Sequence, residues 1–305
     1  MGNLVNRYRS VLKKCHLINT FGSLAVAAIL VMGVTDGEAF SNAVGYNVTS
    51  TSTPGTTVSV TDTSENAVAS GIKAETSATY SVPSTITRAE ATAIGKQSAL
   101  SLGVFAQSSS GNRLTVNLAP LDISSTAVTE NGSSRSVGIY SDVNSSVSVH
   151  GGTIVSSAHS KNGIAEAFGA MSQNNSSVTL GADSIVLSAE SSKKLSDPRT
   201  VGIYFSDNST FNVTSNRIRV DVSATHNGDV FSRKVNGIYG DKNSTLTMND
   251  ADISVREINS TPDKSGAAGI HLFTASTLAM KDASIRVAAI DHEGTFAGSA
   301  IGIVT

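Results

Sequence analysis

The chain has 305 residues, with 22 Lys+Arg against 24 Asp+Glu, a formal charge of −2 and only 15% charged residues. That balance lacks the basic excess of a nucleic-acid-binding surface. Intrinsic disorder is excluded as well, because disorder pairs low hydrophobicity with high net charge, whereas 39% of this chain is hydrophobic. With 5% aromatics, no Trp, 26 Gly and 5 Pro, the core has to be aliphatic, and the chain is neither collagen-like nor a proline-rich linker.

The N-terminus is an address. Residues 1–20 carry Arg7, Arg9, Lys13 and Lys14 and no acid, and Phe21 to Val34 then run without a charge. Gly37 and Ala39 put small residues three and one positions before a cut between Ala39 and Phe40. A basic zone, an apolar run and a small-x-small site predict a Sec signal peptide over residues 1–39. A membrane anchor is the competing reading. At about 1.5 Å per residue, however, the apolar run spans ~21 Å against a bilayer core of roughly 30 Å. The single cysteine, Cys15, lies upstream of the apolar run and leaves with the signal. The exported chain therefore has no disulfide framework, and a long repetitive core needs none. Residues 40–70 are expected to form an irregular first coil or cap.

From residue 71 the chain repeats. Gly71, Gly103, Gly138, Gly169, Gly202, Gly237, Gly269 and Gly302 recur at intervals of 31 to 35 residues. An apolar residue follows at once (Ile139, Ala170, Ile203, Ile238, Ile270 and again Ile303), and in five units apolar pairs stand nine and eleven residues on (Val147 and Val149, Val178 and Leu180, Phe211 and Val213, Leu246 and Met248, Leu278 and Met280). Sixteen residues after the glycine stands an isoleucine each time: Ile154, Ile185, Ile218, Ile253 and Ile285. At eighteen come Leu187, Val220, Val255 and Val287, with Ser156 the one departure. Pairs two apart are the mark of strands with one buried face. Polar segments between them, such as His150-Gly151-Gly152-Thr153 and Asn249-Asp250-Ala251-Asp252, have turn composition.

A single unit cannot bury its apolar face. Stacking solves this, because each strand then hydrogen-bonds its counterpart about 4.8 Å away. The pattern predicts an all-β, right-handed parallel β-helix of about 33-residue coils, with three parallel sheets around one aliphatic core. The five isoleucines are expected to form one core stack. Asn144, Asn175, Asn208 and Asn243, each followed by two Ser/Thr residues, are read as an asparagine ladder or as plain turn residues.

The units Val137-Gly138-Ile139-Tyr140…Asn144-Ser145-Ser146-Val147-Ser148-Val149 and Asn236-Gly237-Ile238-Tyr239…Asn243-Ser244-Thr245-Leu246-Thr247 resemble passenger domains of Gram-negative autotransporters, of the pertactin-like and diffuse-adherence adhesin type. The resemblance covers residues 71–305, and the basic N-terminal zone is similar to the extended n-region many such proteins carry. It implies a cell-surface or outer-membrane location when joined to a C-terminal β-barrel translocator, and a periplasmic one otherwise. It implies partners on host or bacterial surfaces, protein or glycan. The alternating lipid-facing strands of such a barrel are not found in this chain, which reads as a passenger segment ending within a coil.

The search for chemistry yields no catalytic, cofactor-binding or metal-ligating residues. No G-x-S-x-G, H-E-x-x-H, C-x-x-C or G-D-S-G run occurs. Ala93-Ile94-Gly95-Lys96 is similar to the end of a phosphate loop, but Glu90 stands where its first glycine belongs. His150, His159, His226 and His292 are assigned to turns or variable loops, without partners at metal-ligand spacing. His271 takes the place of Tyr140, Tyr204 and Tyr239 in sister units, an outward surface position. Arg217 and Arg219 flank the inward Ile218 and should face solvent, with Asp221 nearby; Asp250 and Asp252 read as turn residues rather than a carboxylate pair for glycosidic cleavage. The expected function is non-catalytic recognition at a surface, through lateral faces or the variable loops 160–167, 190–200, 223–235 and 257–267. The alternatives are a β-helix polysaccharide lyase or hydrolase, and an inert stalk or truncated remnant.

Overall fold

The computed structural model describes residues 42–50, 54–109, 112–181, 184–193, 199–214, 217–226, 235–259, 266–290 and 299–304. The signal segment and its cut at Ala39 and Phe40 lie outside the described residues, as do parts of three of the variable loops. Among the described residues all strand pairs are parallel, in the manner of a right-handed β-solenoid. One sheet has nine strands, from Ala43–Asn47 through Ser133–Asp142 to Ser299–Val304.

The other two strand rows are one sheet of thirteen strands, where three separate sheets were expected. A long limb includes Asp122–Thr129, Gly152–Ser160 and Arg217–His226, and a short limb includes Leu114–Leu118, Ser145–Val149 and Thr210–Val213. Both meet on the 15-residue strand Thr245–Asn259, which pairs along its length with Thr277–Ile290. Asn249-Asp250-Ala251-Asp252, read as a turn, therefore runs straight through a strand. The physical difference is glycine. Between Val149 and Ile154 the chain bends through Gly151 and Gly152 at φ 102° and 108°, angles open to glycine and costly for other residues, and the later unit has no glycine there.

The first coil is also more regular than expected. Ala43–Asn47 pairs in register with Asn66–Ala74, which brings Gly45 level with Gly71. The repeat thus begins one glycine earlier than the sequence spacing suggests.

The core lies between the sheets. Ile72, Val104, Ile139, Ala170, Ile203, Ile238 and Ile270 face in from the nine-stranded sheet, against Val147, Val178, Phe211 and Leu246 of the short limb. Each of these side chains larger than alanine contributes about 1.5–3 kcal/mol on burial. The repeat glycine exists because two chain segments crowd it. A Cβ on Gly45, Gly71, Gly103, Gly138, Gly202, Gly237 or Gly269 would lie 2.5–2.8 Å from the carbonyl oxygen of the next repeat glycine. From the facing sheet, Ile123, Ile154, Val220, Ile253 and Ile285 press on Gly103, Gly138, Gly202, Gly237 and Gly269 in turn.

That contact corrects the isoleucine stack. The five isoleucines do not form one column: level with Ile154 from coil to coil stand Ile123, Leu187, Val220, Ile253 and Ile285. Ile185 and Ile218 pair with each other, level with Gly152 on one side and Ala251 on the other. The cause is turn length. Val149 is level with Leu180 and Gly152 with Ile185, so the chain spends two more residues between limbs in the later unit. A shift of two leaves every side chain on its original face, since strand facing has a period of two.

Serine hydroxyls close the solenoid. Ser145, Ser176, Ser209, Ser244 and Ser276 each donate to a carbonyl of the preceding coil, on Ala106, Ser141, Ser172, Phe205 and Gly240, at 2.7–3.1 Å. At the opposite corner Ser156 donates to Ser136, Ser136 to Ser125, and Ser125 to Ser101, each at 2.9 Å, and Ser101 ends the relay on the Ala91 carbonyl at 2.8 Å. All four serines are fully buried. The departure of Ser156 from the apolar pattern is thereby explained: its hydroxyl is the start of a satisfied polar chain inside the core.

Candidate functional site

The outer face of the nine-stranded sheet carries the densest chemistry. Phe105, Tyr140, Met171, Tyr204, Tyr239 and His271 stand level from coil to coil. Each of the last five follows the inward Ile139, Ala170, Ile203, Ile238 or Ile270, so strand alternation turns it outward. Tyr204 and Tyr239 lie parallel, 5.4 Å between ring centroids and 1° between planes. Tyr239 meets His271 edge-on at 5.3 Å, and His271 meets Phe273 at 5.3 Å. His271 is 8% exposed, so the solvated surface position expected for it is corrected: neighbouring rings cover the imidazole. Phe273, by contrast, is 54% exposed.

One row over, Arg135, Glu166 and Arg199 stand level. Arg135 takes the carboxylate: its Nε donates to Glu166 Oε2 at 2.7 Å and its Nη2 reaches the same oxygen. Burial works against the Arg135 charge, and Glu166 more than restores it, so its pKa is raised. Arg199 lies instead over rings, 5.6 Å from the Phe168 centroid, 4.9 Å from Tyr204 and 5.6 Å from Tyr239. These are cation–π distances.

Beside this strip Asp142 is fully buried. It accepts from Tyr140 Oη at 3.0 Å, from Asn174 Nδ2 at 2.5 Å and from the Val143 amide at 2.9 Å, while Gln173 Nε2 donates to the same tyrosine oxygen at 2.5 Å. Burial pushes Asp142 up to about 6, against those hydrogen bonds. Burial and then the Asp142 charge raise Tyr140 well above the usual phenol range.

The asparagine positions sit at the adjoining turn. Asn144, Asn175, Asn208 and Asn243 all have left-handed φ, 52–59°. Their amides form a main-chain ladder, donating to Asn174, Asp207, Lys242 and Thr274 carbonyls at 3.0–3.1 Å. Asparagine adopts such angles more readily than other residues with a side chain. A side-chain amide ladder occurs elsewhere, from Asn162 Nδ2 to Asn131 Oδ1 at 3.0 Å.

The remaining sites fall on the thirteen-stranded sheet. Arg217 and Arg219 are exposed as expected, paired with Asp252 and Asp221. Asp252, held below the usual carboxylate range by Arg217, also faces Arg286. Asp250 lies level with Arg217 on the same strand row. His159 and His226 are strand residues rather than loop residues, next to last in Gly152–Ser160 and at the end of Arg217–His226 respectively. His159 is bracketed by Ser157 at 2.9 Å and Ser192 at 2.6 Å. Among the described residues no group of three potential metal ligands occurs, and no helix is long and apolar enough to cross a membrane.

Arg199 and Asp142 were not found by sequence reasoning. The Tyr140–Tyr204–Tyr239 alternation with inward isoleucines was the available signal for the strip, but Arg199 sits in a segment of variable length. No family model, curated protein or solved structure matches this chain.

Proposed function

We propose that this chain is a non-catalytic passenger segment of an autotransporter, exported and displayed at the cell surface, where the solenoid presents a lateral face for recognition. The observation that carries this reading is the aromatic–arginine strip. Successive coils place a line of rings beside a guanidinium, an arrangement suited to holding an extended partner. The coil length, the inward isoleucines and the left-handed asparagine turns support the passenger resemblance.

The test is display. The segment, fused to a working outer-membrane β-barrel, is expected to make bacteria adhere to at least one host surface, glycan or sister cell. Indifference to all of them, with the fusion shown to be on the surface, would remove the proposal.

A further inference from the structure

Of the two guanidinium groups in the strip, Arg199 has no acceptor among the described residues. Glu166 lies level with it but gives its ion pair to Arg135 on the other side. No described residue accepts a hydrogen bond from Arg199. It is half-buried, and its planar face is spoken for by Phe168, Tyr204 and Tyr239. These contacts hold the group in place, and no described residue engages its N–H donors. A guanidinium in that state is matched by a planar anion that accepts two parallel hydrogen bonds.

We infer that Arg199 is the anchor for a carboxylate of an acidic glycan, a uronic or sialic acid unit lying along the strip; this rests on the recognition reading above. One feature favours sugar over an acidic peptide. Half-buried Tyr239 lies 5.6 Å from the guanidinium and exposed Phe273 ends the same chain of ring contacts, and aromatic rings are platforms for the C–H faces of sugars. The acid is bound, not transformed: one charge-assisted pair forms as water leaves.

The experiment is an array of neutral, uronic, sialylated and sulfated glycans probed with the full chain and with Arg199→Gln, Arg199→Lys and Arg219→Gln. The expected result is binding confined to carboxylate-bearing glycans. It should be lost at least tenfold in Arg199→Gln, lost in part in Arg199→Lys, whose point charge cannot make the bidentate pair, and unchanged in Arg219→Gln. Circular dichroism of each variant should match the parent. Hits on neutral or only sulfated glycans, acidic hits that survive Arg199→Gln, hits confined to peptides, or a silent array would each overturn the assignment. Adhesion of displayed cells that Arg199→Gln leaves intact would overturn it while sparing the recognition function. Loss of all adhesion in the unmodified segment would remove both.

Discussion

Ile154 stands level with Leu187, two positions out of step with Ile185. The turn of the later unit absorbs the difference, and because the difference is even, both strands keep their apolar side inward. Turn length between the two limbs is therefore constrained in parity rather than in size. One residue inserted between His150 and Gly151 should invert the Gly152–Ser160 strand, expose Ile154 and unfold the neighbouring coils. Two residues inserted at the same point should be tolerated. Urea midpoints of the two variants check this, and equal losses would refute the parity rule.

Gly237 shows how little space the glycine column has. A Cβ there would stand 2.6 Å from the Gly269 carbonyl oxygen and closer still to Ile253. Gly237→Ala should destabilise the solenoid by about 2–4 kcal/mol through overpacking and backbone shift. Gly55→Ala, with nothing within 4 Å, should change stability by less than about 0.5 kcal/mol. Thermal unfolding of both proteins makes the comparison.

The Ser209 hydroxyl shares the Ser172 carbonyl with the Ser206 amide, at 2.9 and 3.0 Å. Ser209→Ala should cost about 0.5–1.5 kcal/mol, the net value of one hydrogen bond, because the carbonyl keeps its amide partner. Replacing Ser176, Ser209 and Ser244 together should cost about three times as much, since each serves a different pair of coils. A denaturant series reads both values.

Asp142 ties stability to pH. Its folded value of about 6 lies above the ordinary carboxylate value of about 3.9. Between these limits the native state holds a proton that the unfolded chain has released, so stability falls as pH rises through that window and stays lower above it. The full change is on the order of 3 kcal/mol for two pH units. Asp142→Asn should flatten the profile, measured as unfolding free energy at pH 4, 5, 6 and 7. A wild-type profile that rises with pH would show that the hydrogen bonds from Tyr140, Asn174 and Val143 outweigh burial.

The sequence made the coil legible because the same physical demand recurs at each level of the stack. A glycine is required wherever two segments crowd, and an apolar residue wherever a strand faces inward. Gly138, Ile139, Val147 and Val149 each answer such a demand, and their spacing reveals it. The register of Ile185 was hidden because two residues added in a turn look, in sequence, like two residues moved elsewhere. The continuous strand at Asp250 was hidden because residues that favour turns also occur within strands. Arg199 and Asp142 depend on neighbours 31 to 35 residues away, Glu166 and Asn174 among them. Their roles emerge once stacking has set which residues share a level.

The serine clasp links each coil only to the one before it, through a carbonyl that also receives that coil's own amide. Tension applied along the filament would accordingly be met by one such seam at a time. Each seam that parts would free a coil of 31 to 35 residues, roughly 110 Å of extended chain, before the next is loaded. A filament built this way yields in steps and dissipates work between them.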